Sequence, residues 1–207
     1  MTRLLYIKAS PRGGESKSAA LADAYLAALN ARLPGLEVDT LDLSAEALPE
    51  YDGDKVAAKM TVIMGQTNDG AQKTAWDQIT EIASRFIAAN RYLIATPMWN
   101  GSIPYKLKQY IDLIHQPGLL WGLDPEKGYF GLLEGKRAVL ALTSGAYGPN
   151  MPSPAFGVDH QSTYLRFWLN QAGVTDIEEV RFQPTLLNPD PDAALKSAVA
   201  DAEALAA

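Results

Sequence analysis

The sequence predicts an α/β sandwich, a five-stranded parallel sheet with helices on both faces. Three observations carry the prediction. Short apolar segments of strand length alternate with longer segments whose apolar residues recur at helical spacing. The loops that follow the apolar segments are rich in Gly, Ser and Pro, as βα connections are. The chain has 207 residues, 47% of them hydrophobic and 20% charged, which suits a single domain over residues 1–207 with one sizeable core.

Taken in order, Arg3–Ala9 reads as a buried strand (Leu4, Leu5, Tyr6, Ile7). A helix over Lys17–Leu33 follows, with Leu21, Ala24, Tyr25, Ala28 and Leu29 in one stripe and Pro34-Gly35 at its end. Leu36–Leu43 (LEVDTLDL) alternates apolar and polar residues, the pattern of an edge strand. Lys55–Met64 reads as a short helix and Ala71–Ala89 as a stronger one, its stripe made by Trp76, Ile79, Ala83, Phe86 and Ile87. Arg91–Thr96 (RYLIAT) is a compact apolar strand stopped by Pro97. Ile103-Pro104 opens a helix with Leu107, Ile111 and Ile114 on one face. Gln116–Gly135, rich in Gly, Pro and aromatic residues, reads as irregular. Lys136–Thr143 (KRAVLALT) is another buried strand, and His160–Gln171 a helix with Tyr164, Phe167 and Trp168. Val174–Phe182 is the last strand and Asp192–Leu205 the last helix.

Five strands alternating with five main helices mean a parallel sheet covered on both faces, and they suit the flavodoxin-like strand order 2-1-3-4-5. Ligands of such sheets bind beyond the carboxyl ends of the strands, at the switch point between the first and third. Three loops meet there: Ser10–Ser18, Pro97–Ser102 and Thr143–Gly148.

Several chemistries are excluded by what the chain lacks. There are no cysteines, so disulfides, thiolate nucleophiles and Cys-ligated metal clusters are absent. The two histidines, His115 and His160, stand in no H-E-x-x-H spacing, and no G-x-S-x-G elbow occurs. A net charge of −6 argues against a nucleic-acid partner. With no signal-peptide pattern and no long apolar run, a cytoplasmic protein with no membrane partner is expected.

The first loop (SPRGGESKS) joins a buried strand to a helix start. Unpaired helix N–H groups and three hydroxyls, from Ser10, Ser16 and Ser18, meet there with Arg12 and Lys17. Two readings stand side by side: a phosphate cradle, or a turn whose serines only cap the helix. It is no nucleotide P-loop, because Pro11 stands where the first glycine of G-x-x-x-x-G-K-[ST] is needed. The G-x-G-x-x-G dinucleotide fingerprint is also missing. The second loop, Pro97-Met98-Trp99-Asn100-Gly101, offers flat apolar surface and one amide, and the third offers small residues with free backbone N–H groups. Together they suit a flat, phosphorylated heterocycle.

The stretches Lys8–Ser18 (KASPRGGESKS), Thr96–Pro104 (TPMWNGSIP), Leu107–Asp112 (LKQYID) and Gly131–Lys136 (GLLEGK) resemble FMN-dependent NADH azoreductases, members of the flavodoxin-like quinone reductase group. The resemblance covers essentially the whole chain. It implies a homodimer binding FMN near the interface and hydride transfer from NADH or NADPH, through the flavin, to quinone or azo acceptors by a ping-pong mechanism. A flavodoxin-type electron carrier without NAD(P)H turnover is the alternative. By this match Ser10, Ser16, Lys17 and Ser18 hold the phosphate and ribityl end. Pro97, Met98, Trp99, Asn100 and Gly101 line the ring, and Ser144, Gly145, Ala146 and Tyr147 meet its pyrimidine edge. No side chain is expected to act as a catalytic nucleophile or metal ligand, since the flavin carries the hydride. Trp99 and Gly145 depart from the commoner family residues, an aromatic Tyr or Phe and a bulkier or charged side chain. Trp121, Tyr129, Phe156 and Phe167 are candidates for an aromatic roof over the ring.

Overall fold

The computed structural model describes residues 2–206, so the two ends of the expected 1–207 domain, residues 1 and 207, lie outside the described residues. Its strands are β1 (Arg3–Lys8), β2 (Glu37–Asp42), β3 (Arg91–Pro97), β4 (Trp121–Asp124), β5 (Gly128–Gly131), β6 (Arg137–Thr143) and β7 (Asp176–Phe182). Its helices are α1 (Lys17–Arg32), α2 (Gly53–Ile63), α3 (Gly70–Ala88), α4 (Tyr105–Ile114), α5 (Ser162–Ala172) and α6 (Pro191–Leu205). A single 3₁₀ turn, Gly13–Glu15, precedes α1.

Five strands form one parallel sheet in the order β2-β1-β3-β6-β7. This is the expected flavodoxin-like order, renumbered because β4 and β5 interrupt the count with a separate antiparallel hairpin. The expectation of an irregular Gln116–Gly135 segment is thereby corrected. Asp124 Oδ1 accepts from the N–H groups of Glu126 and Lys127 at 2.8 and 2.9 Å, which closes a tight turn between two four-residue strands.

Strand alternation divides the core into two layers. Leu5, Ile7, Ile94 and Leu140 point to the face covered by α3, α4 and α5, with Phe86, Ile111 and Trp168. Leu4, Tyr6, Leu93 and Val139 point to the face covered by α1 and α6, with Leu21, Tyr25 and Ala202. Of the α5 aromatic residues, Trp168 is buried, whereas Phe167 is 57% exposed. Of the α3 stripe, Ile79, Ala83 and Phe86 are buried, whereas Trp76 and Ile87 lie at its margin. Pro104 opens α4 as expected, at its N-cap.

The register sets the site. Pro97 pairs with Thr143 at the ends of β3 and β6, and Ala9 N donates to Ala95 O at 2.9 Å beyond the end of β1. Three loops therefore leave the sheet at one level.

Candidate functional site at the carboxyl ends of the strands

The first loop is shaped by its capping. Ser16 has extended backbone angles and its Oγ accepts from Ala19 N at 3.2 Å, so it is the N-cap of α1. Ser16 Oγ lies 3.2 Å from Ser18 Oγ, and Arg12 N donates to Ser10 Oγ at 3.4 Å. Ser10, Ser16 and Ser18 are all buried, a costly place for hydroxyls unless they are partnered. The N–H groups of Lys17 and Ser18, at the positive end of the helix dipole, have no acceptor among the described residues.

The second loop is a two-residue hairpin turn. Trp99 and Ser102 exchange backbone hydrogen bonds of 2.8 and 2.9 Å, while Asn100 (φ 50°) and Gly101 (φ 82°) adopt the left-handed angles of a type I′ turn. Asn-Gly is the pair that tolerates both. Met98 N donates to Thr143 O at 2.7 Å, tying this loop to the end of β6. From behind, the fully buried Gln161 donates to Thr96 O at 3.0 Å and accepts from Gln183 Nε2 at 2.9 Å. Arg181 continues the chain to Gln183 Oε1 at 3.0 Å and Asp159 Oδ2 at 3.2 Å. Burial pushes the Asp159 carboxyl up, but its bonds from Ser162 and Arg181 outweigh this and leave it below the usual range.

In the third loop Ser144 Oγ donates to Tyr147 O, curling the chain so that the N–H groups of Gly145, Ala146 and Tyr147 enter no backbone hydrogen bond among the described residues. Burial and then the Asp159 carboxylate raise the Tyr147 phenol.

All three loops line one cavity of about 200 Å³. Of the expected site residues, it brings together Ser10, Ser16, Lys17, Pro97, Met98, Trp99, Ser144 and Gly145. Ser18 sits beneath them, hydrogen-bonded to Ser16. Asn100 instead lines a neighbouring groove of about 570 Å³ that shares Trp99. Gly101 holds the turn, and Ala146 and Tyr147 stand beside the cavity rather than on its wall. The aromatic candidates are not assembled over it. Trp121 is 8% exposed, packs edge-on to Tyr129 at 5.2 Å and donates to His115 O, while Phe156 and Phe167 lie on the surface.

Four residues of the wall were not predicted as binding residues. Arg12 lines the cavity while reaching to Glu15 at 3.4 Å, and Thr143 is simply the residue before Ser144. Thr185 and Leu186 arrive from the segment after β7, for which no motif was visible. The ionisable groups on the wall, Arg12 and Lys17, are both basic although the chain carries −6 overall. Hydroxyls, open N–H groups and local positive charge at one end, with Met98 and Trp99 beside them, are the donor set for a monophosphate carrying a flat ring.

Comparison with known proteins agrees with this chemistry. A family profile described as the flavodoxin-like fold matches residues 2–206. An FMN-dependent NADH:quinone oxidoreductase of Ruegeria pomeroyi is 50% identical over 97% of this chain and 98% of its own. FMN-dependent NADH:quinone oxidoreductase 3 of Pseudomonas fluorescens is 39% identical, over 100% of this chain and 96% of that one. The crystal structure of a Bacillus anthracis FMN-dependent NADH-azoreductase in complex with FMN superposes with a TM-score of 0.85 at 26% identity, covering 99% of this chain and 98% of that one. The chain belongs to the flavodoxin-like fold family, alongside the FMN-dependent NADH:quinone oxidoreductases.

Proposed function

We propose that this chain is a single-domain, FMN-dependent oxidoreductase that uses NADH or NADPH to reduce quinones and azo compounds. The observation that carries the reading is the cavity itself, where a hydroxyl-rich helix start with two basic and no acidic side chains adjoins an apolar loop. The 50% identity to an FMN-dependent NADH:quinone oxidoreductase over nearly the full length of both chains supports it.

The residues fit the cofactor. Ser10, Ser16, Lys17 and Ser18, with the first N–H groups of α1, would hold the phosphate and ribityl end. Pro97, Met98 and Trp99 would line the ring, with Asn100 and Gly101 forming the turn that holds Trp99 in place. Backbone donors at Ser144, Gly145, Ala146 and Tyr147 would face its polar edge, where fixed N–H dipoles stabilise negative charge without reorganising. When bound, FMN supplies the hydride chemistry, accepting from the nicotinamide and donating to the acceptor. The chain's own part is to position and to exclude water. The Gln161 network keeps the second loop at its height, and the Asn100–Gly101 turn keeps Trp99 beside the cavity. The two substrates would use one face of a bound ring in turn, so ping-pong kinetics with parallel double-reciprocal plots are expected; intersecting lines would overturn this.

The working form is a homodimer in the cytoplasm. Val56, Met60 and Ile63 on α2, with Met64 at its C-cap, make an exposed apolar stripe, which supports burial against a second copy. Among the described residues no helix is long and apolar enough to cross a membrane.

The test is to load the purified protein with FMN and follow NADH and NADPH oxidation with menadione and with an azo dye. Turnover with either acceptor is expected. A yellow protein with no NAD(P)H oxidation would instead be an electron carrier.

A further inference from the structure

We propose that Leu186 is a binding wall for the flavin ring and sets how tightly this chain holds FMN, an inference that rests on reading the cavity as an FMN site. Leu186 is 78% exposed, yet its backbone is pinned. Its N–H donates to Gly145 O at 2.9 Å, and the N–H of Thr185 donates to Ser144 O at 2.8 Å. The segment after β7 is thus laced onto the third loop by main-chain bonds. These fix the backbone from which the side chain projects, whatever its chemistry.

Gly145 completes the fit. A Cβ there would stand 3.1 Å from Leu186 Cδ1, tighter than ordinary contact, so glycine is what lets the isobutyl group lie close on the loop. The next residue of the same segment, Leu187, is 50% exposed and does not line the cavity. Much of the wall is polar, with Ser10, Arg12, Ser16 and Lys17 from the first loop, Thr143 and Ser144 from the third, and Thr185 beside Leu186. Leu186 adds apolar surface at the third loop, beside the backbone donors, whereas Met98 and Trp99 supply it at the second. A ring with apolar faces and a polar edge needs both kinds of surface side by side. An apolar side chain held in water at a cavity mouth is stabilised when a ligand covers it.

The test is flavin fluorescence quenching on the apoprotein, with thermal melting as a second readout. Covering about 60 Å² of the leucine at roughly 25 cal/mol/Å² corresponds to about a tenfold change in Kd. Leu186→Ala is therefore expected to weaken FMN about tenfold, Leu186→Met to stay within about twofold, and Leu187→Ala to match the parent. Because Leu186 is on the surface, the melting temperature of the apoprotein stays unchanged in all three, while the rise on adding FMN shrinks only in Leu186→Ala. If the parent binds FMN and Leu186→Ala binds it equally well, the inference is overturned and the FMN reading stands. If the parent takes up no FMN, both fall.

Discussion

Ser16 has two tasks, and they can be separated by substitution. Its Oγ caps α1 through Ala19 N, and the same buried oxygen stands on the cavity wall beside Ser18. Ser16→Ala removes both functions. The cap loss alone is expected to cost about 1 kcal/mol, a fall of roughly 2–4 °C in melting temperature for a chain of this size. Ser16→Asp keeps a good N-cap, so stability recovers, but it sets a carboxylate where the phosphate would sit. The expected result is a near-parental melting temperature with FMN binding weakened at least about tenfold, read by calorimetry and flavin fluorescence. Parental FMN affinity in Ser16→Asp would remove the phosphate from this loop. Much of this was legible in the residues, because strand, serines, basic side chains and helix start are contiguous. Arg12 was the exception. Its guanidinium reaches Glu15 yet also faces the cavity, and local sequence does not distinguish the two.

At the scale of elements, the sheet strands were legible because β1, β3 and β6 are buried on both faces and read as unbroken apolar runs. The β4–β5 hairpin was not. Each of its strands has four residues, with too few alternations to show a period, and glycines stand in both. One of those glycines is a packing requirement: a Cβ on Gly131 would fall 2.0 Å from Gly173 N, so the hairpin end rests directly on the backbone after α5. The hairpin also covers His115. Burial pushes that imidazole down to about 4, Lys59 adds to the effect, and Gln171 and Asp112 oppose it. With the folded value below the unfolded one, the unfolded chain takes the proton first. This contribution is therefore fully present above about pH 6.5 and is lost as pH falls toward 4. After allowance for partial exposure the loss is about 1–2 kcal/mol. His115→Gln is expected to lose that much less stability than the parent between pH 7 and pH 4.5 in urea unfolding. Equal losses in the two proteins would show that His115 is not the titrating group.

Over the whole molecule, the chain is acidic while the cavity wall is basic, so the affinity of the site for an anion comes from local placement rather than net charge. Topology achieves this by bringing residues 10–17, 97–99, 143–145 and 185–186 to one end of the sheet. The first three groups follow β1, β3 and β6, the adjacent central strands of the sheet, which is why alternation alone located them. The fourth follows β7 at the sheet edge and is tied to the third loop by main-chain bonds, a long-range contact with no local signature. This architecture predicts a linkage that reports on the whole site. A ligand that binds only the folded chain at 100 times its Kd adds about 2.7 kcal/mol, which raises the melting temperature by roughly 5–10 °C at this chain length. FMN is expected to do so. Riboflavin, which has the same ring without the phosphate, loses the charge-assisted bonds to the α1 start and should give only a small rise at equal concentration. Adding salt should narrow that gap by screening Arg12 and Lys17, both of which are exposed. A riboflavin shift equal to that of FMN would mean that the ring slot alone holds the ligand. The serines of the first loop would then be caps and nothing more.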